Sequence, residues 1–358
     1  MPKLDALFNA LNEQDGSDLH LVAGQVPIMR IHGELTRLKG EPLNDQTVRV
    51  LLREITPPDD WQEFEKTGDV DFGYELTGVA RFRCNIYMQK NGAGGVFRLI
   101  PSQILTSEDL ALPPAIRDLA KLEKGLVLVT GPTGSGKSTT LAAIIDEANG
   151  SRNDHILTIE DPVEFVHKSK RALVNHREVG SHTQSFAAAL RAALREDPDI
   201  LLVGEMRDLE TIRLAVEAAA TGHLVFGTLH TTNAAKTVDR VIEVFPSDEQ
   251  PQIRSTLADS LKAVISQVLF KTIDAPGRIA ALEVMVCTPA VSNLIREGKT
   301  FQIPSAMQTG KSDGMQTLDS AIIDLLNDKR IDPATAYDRV INRELVVPFL
   351  PEDHPART

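Results

Sequence analysis

Apolar residues recur at two different periods along this chain, and the change of period divides it. Near the start, Leu4, Leu7, Phe8 and Leu11 fall three or four apart, the spacing of one helix face. Gly16 interrupts that pattern before a strand-like stretch at 18–22, and residues 27–31 and 34–38 read as a hairpin turning at His32-Gly33. Asn44 is placed to cap a helix carrying Val48, Leu51, Leu52 and Ile55, which Pro57 and Pro58 end. A short helix around Trp61 and Phe64 stops at Gly68. The clearest alternation follows, with Val70, Phe72, Tyr74 and Leu76, a turn at Thr77-Gly78, then Ala80, Phe82, Cys84, Ile86 and Met88. Residues 1–100 are therefore expected to form a small α+β domain on an antiparallel sheet.

Residues 101–114, rich in proline and small polar side chains, are the expected linker. Beyond it, continuous apolar runs at 126–130, 156–159, 200–203 and 224–229 alternate with helical patterns at 139–148, 184–195 and 208–221. Runs apolar on both faces, separated by helices, predict a sheet covered on both sides, so residues 115–358 read as an α/β domain. From about residue 248 the pattern turns mostly helical, including 253–268 and 318–327, with one strand-like run at 279–286. The tail, 348–358, carries three prolines and mixed charges and is expected to be disordered.

Charge and composition narrow the function. With 50 acidic and 38 basic residues the formal net charge is -12, which disfavours nucleic acid as a partner. The two cysteines, Cys84 and Cys287, match no CxxC spacing and read as buried thiols in a reducing cytosol. The start has no apolar core of signal-peptide length, and no apolar run reaches the roughly 18 residues of a membrane span. Any membrane association is expected to come through a partner.

The chemistry begins at the first apolar run of the second domain. After it stand Gly131, Pro132, Thr133, Gly134, Ser135, Gly136, Lys137 and Ser138, and a helical pattern opens at Thr139. Strand, glycine-rich turn and helix N-terminus in that order make the setting in which G-x-x-x-x-G-K-[ST] cradles phosphates: backbone N–H groups point inward, Lys137 reaches the β/γ-phosphates and Ser138 binds Mg²⁺. The run at 200–203 ends in Gly204-Glu205, as a Walker B element does, which puts Glu205 at the metal through its water shell. The run at 156–159 ends in Glu160 and Asp161, with Glu164 after Pro162. One of these three carboxylates is expected to orient the attacking water, and the residues alone do not choose among them. His230 follows the run at 224–229 and is a candidate γ-phosphate sensor, while His223 before it is a weaker one. In the first domain the alternation places Arg81 and Arg83 together opposite the core, and Arg98 sits in another strand-like run. A solvated polar face and a guanidinium cluster aimed at a phosphate are both open readings of these arginines.

Taken together, the ordered motifs resemble the secretion ATPase superfamily and, within it, the PilT-like twitching-motility ATPases of type IV pilus retraction. The resemblance covers nearly the whole chain after residue 15. Besides the phosphate loop it rests on Gly16-Ser-Asp-Leu-His-Leu21, on Glu160-Asp-Pro-Val-Glu-Phe165 as the family's Asp box and on residues 190–199 leading into Walker B. It rests further on Gly222-His-Leu-Val-Phe-Gly-Thr-Leu-His230 as the His box and on Gly314-Met-Gln-Thr-Leu-Asp319. It implies a cytoplasmic ATP hydrolase using ATP/ADP and Mg²⁺, with a PAS-like domain before a RecA-like core. The same resemblance implies a homo-hexamer working at the inner membrane with a platform protein of the type IV pilus machine, possibly beside a paralogous ATPase. Glu164 becomes the water-activating carboxylate, Glu160 and Asp161 line the nucleotide site, and Arg81, Arg83 and Arg98 complete it. An accessory PilU-like paralogue and a nucleotide-gated scaffold without turnover are the rival readings. Val291 and Ser292 depart from the family's signature helix, where Ile and Arg are usual.

Overall fold

Alternation over residues 70–88 dictates one buried and one open face, and the computed structural model, which describes residues 2–31, 33–100, 103–352 and 354–357, shows the sheet that results. His32, in the expected hairpin turn, and Pro101, in the expected linker, lie outside the described residues. The chain divides into two units: Met1–Ile104 with Pro162–Val166, and Leu105–Asp161 with His167–Thr358.

In the first unit the elements run α1 (Asp5–Glu13), β1 (Gly16–Val22), β2 (Ile28–Ile31), β3 (Glu34–Arg37), α2 (Asp45–Ile55), α3 (Pro58–Thr67), β4 (Asp69–Leu76), β5 (Ala80–Gln89) and β6 (Gly92–Ile100). The six strands form one antiparallel sheet in the order β3-β2-β1-β6-β5-β4. Asn44 caps α2 by accepting from the Thr47 N–H, as its position predicts. Phe82, Cys84 and Ile86 are buried with Leu19, Leu21, Leu52 and Phe64, while Arg83 between them is exposed. Phe8 from α1 stacks on Phe82 with centroids 4.1 Å apart and meets Phe97 edge-on at 5.3 Å, which locks the helix to the sheet.

In the second unit α4 (Pro114–Arg117) precedes β7 (Gly125–Thr130), α5 (Lys137–Ser151), β8 (His155–Glu160), β9 (Leu173–Glu178), α6 (Phe186–Ala193), β10 (Ile200–Val203), α7 (Leu209–Thr221), β11 (Leu224–Leu229) and α8 (Ala234–Glu243). Then follow α9 (Gln250–Ser260), β12 (Leu261–Lys271), β13 (Arg278–Val286), α10 (Pro289–Arg296), α11 (Ile303–Thr309), α12 (Leu318–Asn327) and α13 (Pro333–Tyr337). The seven-stranded sheet has the order β13-β12-β7-β11-β10-β8-β9, parallel except where β13 runs antiparallel along the β12 edge. Successive residues of each strand feed opposite cores. Leu126, Leu128, Leu201 and Val203 pack with α7 and α8 on one side, and Val127, Val129, Ile200 and Leu202 pack with α5 on the other.

Two expectations are corrected here. The helical pattern at 253–268 is α9 followed by β12, which inserts between β7 and β13. A run apolar on both faces has no helical or strand period of its own, so the flanking strands decide it. The tail is not disordered through the described residues: Leu350 is buried in a cluster with Phe270, Ile322 and Leu326, and Arg357 donates to the carbonyl oxygens of Val347 and Pro348. The edge strand β9, apolar at Leu173 and Val174 and polar from Asn175 to Glu178, had no counterpart in the hydrophobic pattern. Among the described residues no helix is long and apolar enough to cross a membrane.

Candidate active site

Parallel register brings four strand ends to one edge of the sheet. Thr130 of β7 pairs with Leu229 of β11, and Val203 of β10 pairs with Gly227 on one side and Ile159 on the other. Glu160 at the end of β8, and the residues that follow the other strands from Gly131, Gly204 and His230 onward, therefore share that edge, where open α/β sheets carry their ligand chemistry.

The loop after β7 turns tightly into α5. A Cβ on Gly131, at φ 144°, would lie 2.5 Å from the Gln267 carbonyl oxygen and 2.6 Å from Ser135 Oγ, so no larger residue fits. Gly136 takes a left-handed conformation, φ 88°, immediately before Lys137 opens the 15-residue helix. Lys137 Nζ donates to the carbonyl oxygens of Gly131 at 3.0 Å and Pro132 at 3.2 Å, which folds the ammonium over the loop. Ser138 and Thr139 are partly exposed at the same helix start. Ser135 Oγ is buried with no hydrogen-bond partner among the described residues. An orphaned hydroxyl, an ammonium and the N–H groups of a helix N-terminus all favour an anion with several acceptor oxygens, so these residues fit a nucleotide polyphosphate.

Glu205 lies across from the loop's strand, at the end of β10. The Gly204 N–H donates to the Ile159 carbonyl at 2.8 Å, fixing the turn that carries the carboxylate. Glu205 Oε1 meets Arg207 Nε at 2.5 Å and His230 Nε2 at 2.8 Å. Burial pushes the Glu205 carboxyl up, but the Arg207 hydrogen bond and charge, with His230 beside them, more than reverse this and hold it below the usual carboxylate range. Arg207 is raised in turn, chiefly by that hydrogen bond. Arg207 was missed in the sequence, although its position two residues after a strand-end acid was the available signal.

Glu160 ends β8 as a buried carboxylate, with its Oε1 3.9 Å from His176 Nδ1, and Asp161 beside it is exposed. Glu164 belongs to Pro162–Val166, which is part of the first unit. His223 is not brought to the phosphate loop. It precedes β11 at the opposite edge of the sheet, where its ring Nδ1 bonds the Ala218 carbonyl at 3.1 Å and its own carbonyl accepts from the Gly125 N–H. The ring thus holds the end of α7, and the backbone carbonyl joins it to the start of β7.

The arginines occupy one row across the first sheet. Arg30, Asp18, Arg98 and Arg83 are consecutive cross-strand partners on β2, β1, β6 and β5. Buried Asp18 takes Arg98 Nε at 3.0 Å and Arg30 Nε at 3.6 Å. Asp18 thus explains the polar position inside Gly16-Ser-Asp-Leu-His-Leu21, whose Leu19 and Leu21 are core. Beside it His20 is lowered by burial, with Arg30 and Arg98 adding to the effect against Asp18. Arg83 is exposed, and Arg81, two pairs further along β5 and opposite Ile100, is partly buried. Two further residues missed in the sequence, Ser266 and Gln267, underlie the phosphate loop from β12: Thr130 Oγ1 and Ser266 Oγ lie 2.9 Å apart. They were hidden by the helical reading of 253–268.

Residues 96–285 match the family described as type II/IV secretion system protein, which is more than half of the chain. The chain belongs to this family. It is 57% identical over 310 residues to the type IV pilus retraction ATPase PilT of Pseudomonas aeruginosa, covering 87% of this chain and 90% of that one. A twitching motility protein of Neisseria gonorrhoeae is 51% identical over 323 residues, 90% of this chain and 86% of that one. The fold matches a crystal structure of the pilus retraction motor PilT with bound ADP at a TM-score of 0.89 and 42% identity, covering 96% and 98%. Within the secretion ATPases the chain therefore falls in the PilT-like branch, and the expected architecture, a RecA-like core preceded by a small PAS-like domain, is the one observed.

Proposed function

We propose that this protein is an ATP hydrolase that drives type IV pilus retraction as a homo-hexameric motor. The observation that carries the reading is the shared sheet edge, on which a phosphate loop with an orphaned Ser135 hydroxyl stands in line with Glu205 held by Arg207 and His230. Identity of 57% to a pilus retraction ATPase over most of both chains supports the biological role.

In this reading Lys137 leaves the Gly131 and Pro132 carbonyls and donates to the β/γ-phosphates, and Ser135 Oγ gains its missing partner there. Ser138 and, through water, Glu205 would hold Mg²⁺, which would supply positive charge against the phosphate oxygens when bound. Residues 131–139 with Glu160 and Asp161 line the nucleotide, and Glu164 accepts the proton of the attacking water. Arg81, Arg83 and Arg98 supply positive charge to the site of an assembled ring, as an arginine supplied in trans does elsewhere at about 10³ to 10⁵ in rate. Residues 1–100 and 115–358 are the two bodies whose relative movement ATP biases, linked through 101–114. The motor is cytoplasmic and reaches the inner membrane by docking on the pilus machine's platform protein.

The test is the rate of phosphate release against protein concentration, with light scattering, for wild type and the Arg81→Ala/Arg83→Ala pair. Activity that rises with hexamer and disappears in the pair, while the hexamer persists, is expected. Activity independent of assembly would discard the ring mechanism. Restored retraction in a strain lacking all other retraction ATPases is expected of a motor, and an accessory paralogue would fail to restore it.

A further inference from the structure

We propose that Gln267, on β12 and outside every nucleotide motif of the chain, is the residue that positions the phosphate loop. Ser266 pairs in register with Thr130, the last residue of β7, so Gln267 lies one step further, level with the loop that starts at Gly131. Its side chain is buried. The carboxamide Nε2 donates to the Ser135 carbonyl oxygen at 2.5 Å, and Oε1 accepts from Thr140 Oγ1 at 3.0 Å. The same residue limits the loop at two more points. Its backbone oxygen excludes a Cβ at Gly131, and its Nε2 lies 3.2 Å from where a Cβ at Gly136 would stand. One side chain and its own backbone therefore touch the loop's start, its crest and the first turn of α5.

Peptide planarity makes the crest contact consequential. The Ser135 carbonyl and the Gly136 N–H belong to one trans peptide unit and point in opposite directions. Holding the carbonyl on Gln267 turns the Gly136 N–H away from β12 toward the open side of the loop, where phosphate oxygens are to be bound. The Thr140 contact fixes the other end of that lever, because Thr140 N–H also closes the first helical bond, to the Gly136 carbonyl at 3.0 Å. Only a carboxamide meets both demands. Glutamate has no donor for the Ser135 carbonyl, methionine fills the space with neither group, and asparagine is one methylene short. Gln267 is thus a positioning residue, acting through Ser135 and Gly136.

The inference rests on the nucleotide-site reading above for its functional consequence, but its structural part is measurable without nucleotide. Hydrogen exchange at the Thr140 amide, which is bonded to the Gly136 carbonyl, is expected to quicken at least fivefold in Gln267→Met and Gln267→Glu in the nucleotide-free full chain. A fluorescent ADP analogue is expected to bind both variants about tenfold or more weakly, with thermal melting in the absence of nucleotide close to wild type. Thr140→Val added to Gln267→Met is expected to cost no further affinity, because both changes break one connected contact. Unchanged Thr140 exchange, or wild-type ADP affinity in a folded Gln267→Met protein, would overturn the proposal. If Gln267→Met does not fold, the same two readings on Gln267→Glu decide it. Faster exchange combined with no ADP binding by wild type would retain Gln267 as the brace of the loop and remove the nucleotide reading instead.

Discussion

Glu205 Oε1 lies 2.8 Å from His230 Nε2, so the acid that follows β10 and the histidine that follows β11 hold one another at the edge of the sheet. His230 is half exposed and Glu205 is not, which makes the histidine the outer partner. His230→Ala leaves Glu205 with Arg207 alone and frees its carboxylate to swing. Because misplacing a group by about 1 Å can cost about 10²-fold in rate, turnover is expected to fall by about that factor while ADP affinity changes only a few-fold. Phosphate release and a fluorescent-ADP titration on the same preparation check this. Equal losses in both would make His230 a binding residue.

Lys137→Ala removes the ammonium that folds over the loop onto Gly131 and Pro132. Charge-assisted hydrogen bonds contribute about 1.5–3 kcal/mol each, so nucleotide affinity is expected to drop at least about tenfold and turnover to reach background. Calorimetric titration with ADP reads the first effect. Full activity would take the loop out of the site.

Glu164→Gln keeps the side chain's shape and removes its charge as an acceptor. If Glu164 takes the proton from water, turnover is expected to fall about 10²- to 10⁴-fold with nucleotide still bound. Single-turnover hydrolysis measures this independently of product release. An unchanged rate would transfer the role to Glu160 or Asp161, which stand at the end of β8.

His167 stacks on His176 with centroids 6.0 Å apart and is buried, facing Asp146, Lys170 and Glu160 as well. Burial, with His176 adding to it, lowers the imidazole to about 4 from an ordinary value of 6.5. Its folded form therefore stays neutral where the unfolded chain takes up a proton. Stability from this group is present above about pH 6.5 and is lost as pH falls toward 4, by about 2 kcal/mol between pH 7 and 5. Urea unfolding of wild type and His167→Asn at both pH values isolates the difference, which is expected to shrink on acidification. A difference that does not change with pH would show an ordinary His167.

Local chemistry decided much of this protein before any tertiary contact was known. The period-two run through Phe82, Cys84 and Ile86, the caps at Asn44 and Asp208, and the turn from β7 through Gly136 into Lys137 are each written within a few consecutive residues. They were legible for that reason, as was the family. Pairing between distant segments is not written locally. That Leu261–Lys271 is a strand depends on β7 and β13 lying on either side of it, and the apolar run alone suits a buried helix equally well. Gln267 under the phosphate loop, Asp18 between Arg30 and Arg98, and His223 at the far edge from His230 all follow from register across strands far apart in sequence. Sequence by itself determined which chemical groups this protein carries and on what kind of element. Only the tertiary structure decided which of them face each other, because strand register is set by the burial of whole faces rather than by any one residue.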